Sequence, residues 1–183
     1  MGHQRLADMA SAAGAQVRLH PIDLGRVFPV SGGLQLKDRA VQRQAYRLVE
    51  LARFRDHLKL PLNLQPAYFP VVSTLPAKLI VAVQKTEGET AALKVAGALM
   101  SAVWAQERNI ADPETLGEIL RECGSSPDCL SQATSDEVQK LYDAHTDEAI
   151  EIGIFGAPTY VLDGEMFWGQ DRLMFLEHAL AKR

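Results

Sequence analysis

The chain has 183 residues, 47% hydrophobic and 23% charged, with a net charge of -4. That length suits one domain, or one carrying a sizeable insertion, and the composition is that of a soluble globular protein. The negative balance offers no electrostatic footprint for nucleic acid, and no apolar run approaches the roughly 18–20 residues needed to span a bilayer. The N-terminus, Met1-Gly-His-Gln-Arg-Leu-Ala-Asp8, is too polar for a secretory signal, so the cytoplasm is expected. Met-Gly invites comparison with a myristoylation signal, but Leu6 stands where Ser or Thr is wanted. The two cysteines, Cys123 and Cys129, have neither redox-pair nor zinc-finger spacing, and they read as reduced thiols near a helix–helix turn with no metal site.

In chain order, residues 3–13 read as a short helix closed by Gly14, with Leu6, Met9, Ala10 and Ala13 at helical spacing. Residues 16–24 suggest a strand interrupted or ended by Pro21, and a turn-rich patch follows at residues 29–33. The texture then turns helical for more than a hundred residues. Residues 37–60 form a long amphipathic run that includes Tyr46, Val49 and Phe54. Residues 61–70 are irregular, with Tyr68 and Phe69 as anchors, and residues 75–86 and 89–107 give two more helices. Asp112-Pro113-Glu114 is a helix start, an N-cap followed by proline at the first helical position. Gly124 ends that helix, residues 125–128 start a short one, and Ser135 caps the next.

The C-terminal stretch is the most informative. Pro158 leads a β-branched and aromatic strand over residues 159–162, Asp163-Gly164 is a two-residue hairpin turn, and residues 165–168 resume an extended run. Helical spacing begins at Asp171, with Leu173, Leu176, Ala179 and Leu180 on one face. A cis Ala157-Pro158 bond is expected here, turning the Ala157 N–H and C=O outward toward an extended ligand. The plainer reading is a hairpin-and-helix end whose Gly, Pro and Trp serve only turns and core.

Phe155-Gly156-Ala157-Pro158-Thr159, Asp163-Gly164 and Trp168-Gly169-Gln170-Asp171-Arg172-Leu173 together follow the pattern F-G-x-P-T, D-G, W-G-x-D-R-L. In this the chain resembles the 2-hydroxychromene-2-carboxylate isomerases, relatives of the kappa-class glutathione transferases. The resemblance implies an α/β, thioredoxin-like fold with an inserted all-helical domain. Residues 1–30 would form its N-terminal part, 31–137 the helical insertion and 138–183 the C-terminal part, lacking the family's first strand. Two or more paired strands inside the helical block would contradict that architecture.

The same resemblance implies a glutathione-dependent isomerase that makes trans-o-hydroxybenzylidenepyruvate, with glutathione as a regenerated cofactor and a small aromatic carboxylate as substrate. Gln4-Arg5-Leu6 matches the family's first helix, and in that register the serine supporting the glutathione thiolate would lie about five positions upstream of Met1. No catalytic residue is therefore assigned within the chain, and turnover is expected to be poor unless an upstream strand carrying Ser-Pro is restored. The cofactor-binding residues implied are Ala157 and Pro158 for the cysteinyl unit, through backbone pairing, and Gln170 and Asp171 for the γ-glutamyl end. Without a ligand, Asp171 would serve only the helix dipole, and Ala157 would simply be small enough for a crowded turn.

Other candidates carry less. Ser31-Gly32-Gly33 stands where relatives often place an asparagine that touches glutathione. Tyr46, Glu50 and Arg53 have the spacing of a local surface network. Trp104 and Trp168 could line an aromatic pocket, though a core role is the expectation. The five histidines show no ligand spacing. A silent glutathione-binding or scaffold protein and a thiol–disulfide oxidoreductase of the same fold remain alternatives, and a homodimer is possible.

Overall fold

The computed structural model describes residues 1–182. Its elements run α1 (His3–Ala12), α2 (Leu24–Ser31), a 3₁₀ turn (Leu36–Asp38), α3 (Val41–Leu58), α4 (Thr74–Glu87) and α5 (Glu89–Trp104). They continue through α6 (Pro113–Cys123), α7 (Asp128–Gln132), α8 (Asp136–Glu151), β1 (Thr159–Leu162) and β2 (Glu165–Trp168). A second 3₁₀ turn (Gln170–Arg172) then leads into α9 (Leu173–Leu180). Among the described residues, the long stretch between α2 and α8 holds no strand, and no helix is long and apolar enough to cross a membrane.

Local chemistry sets the helix ends where expected. The Asp112 carboxylate accepts from the Glu114 and Thr115 N–H groups ahead of Pro113, and Gly124 closes α6 in the left-handed region. The Ser135 hydroxyl accepts from Val138 N–H at the start of α8. The principal core is helical. Leu79, Val81, Ala82 and Val83 of α4 meet Val95, Leu99 and Val103 of α5, with Leu116, Ile119 and Leu120 of α6 closing the layer. A smaller cluster of Phe167, Leu173, Leu176 and Leu180 joins the hairpin to α9, with Leu6 and Met9 of α1 packed against it.

β1 and β2 pair antiparallel, Thr159 opposite Trp168 and Leu162 opposite Glu165. Asp163 (φ 52°) and Gly164 (φ 83°) make the turn between them, the two positive φ values that an Asp-Gly hairpin turn requires.

Two expectations for the N-terminal part fail. Residues 16–24 form no strand, because their backbone groups find side chains instead of a ladder. The Leu19 carbonyl accepts from Gln84 Nε2 at 2.9 Å, Leu19 N–H donates to Glu89 Oε2 at 3.3 Å, and Asp23 N–H donates to Thr146 Oγ1 at 3.0 Å. Pro21, with no N–H, interrupts whatever pairing remains. The turn-rich patch is also largely helical: α2 runs through Pro29, capped by Asp23 at its start and by left-handed Gly32 at its end. Val27 anchors it, fully buried.

Thr146 donates to the Tyr142 carbonyl at 3.0 Å while accepting from Asp23, and it is itself fully buried. Thr146→Val keeps the shape but strands the Asp23 N–H. Urea unfolding should show a loss of about 1–3 kcal/mol.

His145 stacks on His20 with ring centroids 4.5 Å apart, and its buried Nδ1 has no partner among the described residues. Burial, and then the neighbouring His20, hold its imidazole below the ordinary 6.5, and burial does the same for His3. The unfolded chain therefore takes up protons that the folded chain refuses. This stability is fully present above the ordinary histidine value and is lost as pH falls below it. The thermal midpoint should fall between about pH 7.5 and about pH 5.5, and less steeply in His145→Phe, which removes one of the groups that refuse protons in the fold.

Candidate functional site

The matched C-terminal residues meet at one end of the hairpin. Ala157-Pro158 is cis and exposed, and neither the N–H nor the C=O of Ala157 has a hydrogen-bond partner among the described residues. Thr159 Oγ1 donates to the Gly156 carbonyl at 2.6 Å, tightening the turn that precedes the proline. Gly156 is buried under the indole of Trp168, and a Cβ there would lie 2.7 Å from Trp168 Nε1. Only glycine fits that approach. Trp168 itself is 52% exposed and meets Phe155 edge-on at 4.9 Å, so it lies over this turn and not in the core as expected.

The next strand carries the chain back to the same place. Gly169 N–H donates to the Pro158 carbonyl at 2.9 Å, which clasps the start of the 3₁₀ turn at Gln170–Arg172 to the cis-proline turn. Gly169 sits at φ 99°, and a Cβ there would lie 2.5 Å from Asp171 Oδ1. The first N–H groups of a helical turn have no acceptor within it, so this turn presents backbone donors beside the Asp171 carboxylate. Asp171 pairs with Arg172 at 2.5 Å, with the carboxylate side chain 41% exposed. Such a surface pair is worth only about 0–1 kcal/mol.

Three further residues complete the frame, and pattern reading did not assign them. Arg5 of α1 donates to the Gln170 carbonyl at 3.2 Å and to its Oε1 at 3.1 Å, holding both the backbone and the side chain of that residue. Gly2, buried, lies under Tyr160: a Cβ there would lie 2.7 Å from the Tyr160 hydroxyl and 3.0 Å from Gln170 Cβ. Burial pushes the Tyr160 phenol up, partly countered by Arg5, so it stays protonated. The Gln4-Arg5-Leu6 match was the one signal in the sequence for this contact. Its meaning needs α1 packed on α9.

His3, next to Gly2, turns toward the helical layer. A Cβ at Gly97 of α5 would lie 2.5 Å from His3 Nε2, so the imidazole lies directly against the helix backbone. The face of α5 beginning at Gly97 is thus adjacent to the first turn of α1. Tyr46, Glu50 and Arg53 form a surface network as expected, with Arg53 donating to Glu50 at 2.6 Å and to the Tyr46 hydroxyl at 3.4 Å. Cys123 and Cys129 are both buried and free, and burial raises both thiols above the ordinary range.

A Gly2→Ala substitution should cost about 1–3 kcal/mol in chemical denaturation, because the methyl must push aside Tyr160 or Gln170. Tyr160→Phe in the same chain removes the atom struck first and should recover part of that loss. The two changes should therefore be non-additive in a double-mutant cycle.

The family model for the DSBA-like thioredoxin domain matches residues 1–181. A 2-hydroxychromene-2-carboxylate isomerase of Pseudomonas putida is 29% identical over 185 aligned residues, which take in 100% of this chain and 88% of that protein. A protein of the same name from Sphingobium xenophagum is 27% identical, with 96% of this chain and 88% of its own length aligned. A solved structure of 2-hydroxychromene-2-carboxylate isomerase superposes with a TM-score of 0.81 at 28% identity, covering 99% of this chain and 87% of the other.

Proposed function

The chain belongs to the DSBA-like thioredoxin domain family, and on that premise we propose that it is a glutathione-dependent isomerase of the 2-hydroxychromene-2-carboxylate type. Its product would be trans-o-hydroxybenzylidenepyruvate. The observation that carries this reading is the clasp between Gly169 N–H and the Pro158 carbonyl, because it holds two different kinds of peptide-recognition group side by side. On one side is the exposed backbone of Ala157, unpaired among the described residues. On the other is the N-terminal end of the turn at Gln170–Arg172.

Glutathione fits that combination of groups. An extended tripeptide pairs backbone to backbone with an open cis-proline turn, as an added strand does with a sheet edge. Its γ-glutamyl carboxylate suits the N–H groups of Gln170 and Asp171, and its ammonium suits the Asp171 carboxylate. Arg5 orients Gln170 from behind. When bound, glutathione supplies a thiol whose conjugate base adds reversibly to an unsaturated carbonyl compound and frees a double bond to rotate. The protein's own part is to bind, orient and exclude water.

Thiol–disulfide exchange, the alternative that the fold invites, needs an accessible thiol of lowered pKa. Cys123 and Cys129 are buried and shifted the opposite way. A silent glutathione-binding protein is separated from the isomerase by turnover alone.

Isothermal calorimetry should show glutathione binding that weakens by about 1.5–3 kcal/mol in Asp171→Ala and by less in Asp171→Asn, which keeps an acceptor without the charge. Isomerisation of 2-hydroxychromene-2-carboxylate, followed by absorbance, should require added glutathione. Unchanged affinity in Asp171→Ala would remove the binding assignment. Glutathione binding without turnover, even after extension by an upstream strand carrying Ser-Pro, would leave the silent binder.

A further inference from the structure

Among the described residues, no carboxylate forms an ion pair with Arg47. From the middle of α3 Arg47 lays its guanidinium 5.0 Å from the Phe69 ring centroid and 5.5 Å from that of Trp104. The two rings pack 4.7 Å apart at 43° to each other. No carboxylate or carbonyl among the described residues accepts a hydrogen bond from Arg47, and the one buried side-chain nitrogen or oxygen without a partner is on His145, so the Arg47 donors are not sealed away.

Two carboxylates close in the chain to Arg47 or to Trp104 are committed elsewhere. Glu50, three residues along α3, binds Arg53 at 2.6 Å. Glu107, just past the end of α5, accepts from Asn63 Nδ2 and from Ala67 N–H, each at 2.5 Å. Those bonds, with Asn63 N–H to the Trp104 carbonyl at 2.7 Å, strap the loop that carries Phe69 against Trp104. The same strap consumes the Glu107 carboxylate. Arg39 adds a second positive charge close enough to oppose that of Arg47.

A guanidinium stacked on rings keeps its in-plane N–H fork free, the geometry that takes a carboxylate with two parallel bonds. The rings offer an apolar wall to whatever bears that carboxylate. The cluster also lies on a face already tied to the candidate site. Trp104 follows Gly97 by seven residues on α5, two helical turns or about 10 Å, and therefore shares its face. His3, against Gly97, is the neighbour of Gly2, which lies against Gln170.

We propose that Arg47, on the Phe69–Trp104 pair, is the anchor for the carboxylate of a planar aromatic acid, with Trp104 and Phe69 supporting its apolar body. It rests on the isomerase reading for the identity of the natural substrate, but the binding chemistry stands apart from turnover. The acid group would be held at the Trp104 end of the α5 face, away from the Gly97 end that adjoins the candidate site through His3 and Gly2.

The test uses trans-cinnamate, a stable planar aromatic carboxylate, and its neutral isostere cinnamamide, titrated into the intact chain by calorimetry without glutathione. The wild type should prefer cinnamate by at least about tenfold, the value of a charge-assisted pair. Arg47→Met should abolish the preference while cinnamamide affinity stays within about twofold, Arg47→Lys should retain part of it, and Arg43→Met, on an exposed neighbour, should keep all of it. A loss of packing alone would weaken both ligands equally. No preference in the wild type, or a preference that survives Arg47→Met, overturns the proposal, and the first result is decisive even if Arg47→Met fails to fold. Isomerase rates then separate the two readings. Cinnamate selectivity that depends on Arg47, with no turnover even after extension by an upstream strand carrying Ser-Pro, sinks the isomerase and leaves the acid anchor standing, whereas turnover with an unchanged KM in Arg47→Met does the reverse.

Discussion

One hydrogen bond, from the Gly169 peptide N–H to the Pro158 carbonyl, governs the geometry of the candidate site. It brings together residues on either side of a hairpin, one group at the entrance to β1 and the other at the exit from β2. Without it the open backbone of Ala157 and the turn at Gln170–Arg172 would be two unrelated surface features. With it they form a short polar ledge, backed by Trp168 on Gly156 and by Arg5 on Gln170. Each support depends on a close approach. The glycines at 2, 156 and 169 leave less than 3 Å between a would-be Cβ and the group opposite, so small size at those positions is a packing requirement of the ledge.

The helical layer follows a different logic. Its core is made by α4, α5 and α6 with ordinary aliphatic residues, and its polar side chains solve backbone problems at the edges. Gln84 and Glu89 carry the peptide of Leu19, Thr146 carries that of Asp23, and Glu107 carries that of Ala67. A buried or half-buried irregular segment needs such partners, since an orphaned peptide group costs about as much as a lost hydrogen bond. This reliance on long polar side chains is why residues 16–24 can run beside the helices without being part of a sheet.

It also shapes the electrostatics. Glu50 and Glu107 are spent on Arg53 and on the loop over residues 63–67, and Arg47 is left on its aromatic pair with Arg39 near by. A guanidinium can tolerate that position because the ring faces are partly negative and its own hydration is weak. The chain is acidic overall, so a local positive site within it stands out to an anionic ligand.

Features set by neighbours in the chain were legible in the sequence. The Asp112-Pro113 and Ser135 helix starts, the Asp163-Gly164 turn, the two strands around it and the apolar stripe of α9 all rest on interactions spanning a few residues. The family motif, read as a string, singled out Ala157, Pro158, Gln170 and Asp171 as candidates, and the hairpin brings their two segments together. What the string could not contain is separation in space. Arg5 and Gln170 are 165 residues apart, Asp23 and Thr146 are 123 apart, and Arg47 on α3 lies over Trp104 at the end of α5. The strand expected over residues 16–24 failed for the same reason: alternation describes which side chains face inward, but a strand exists only where a neighbouring backbone is free to pair. Periodicity and capping thus belong to the sequence, whereas the choice of partner for each peptide group and each charge belongs to the tertiary structure, where distant groups compete for the same few atoms.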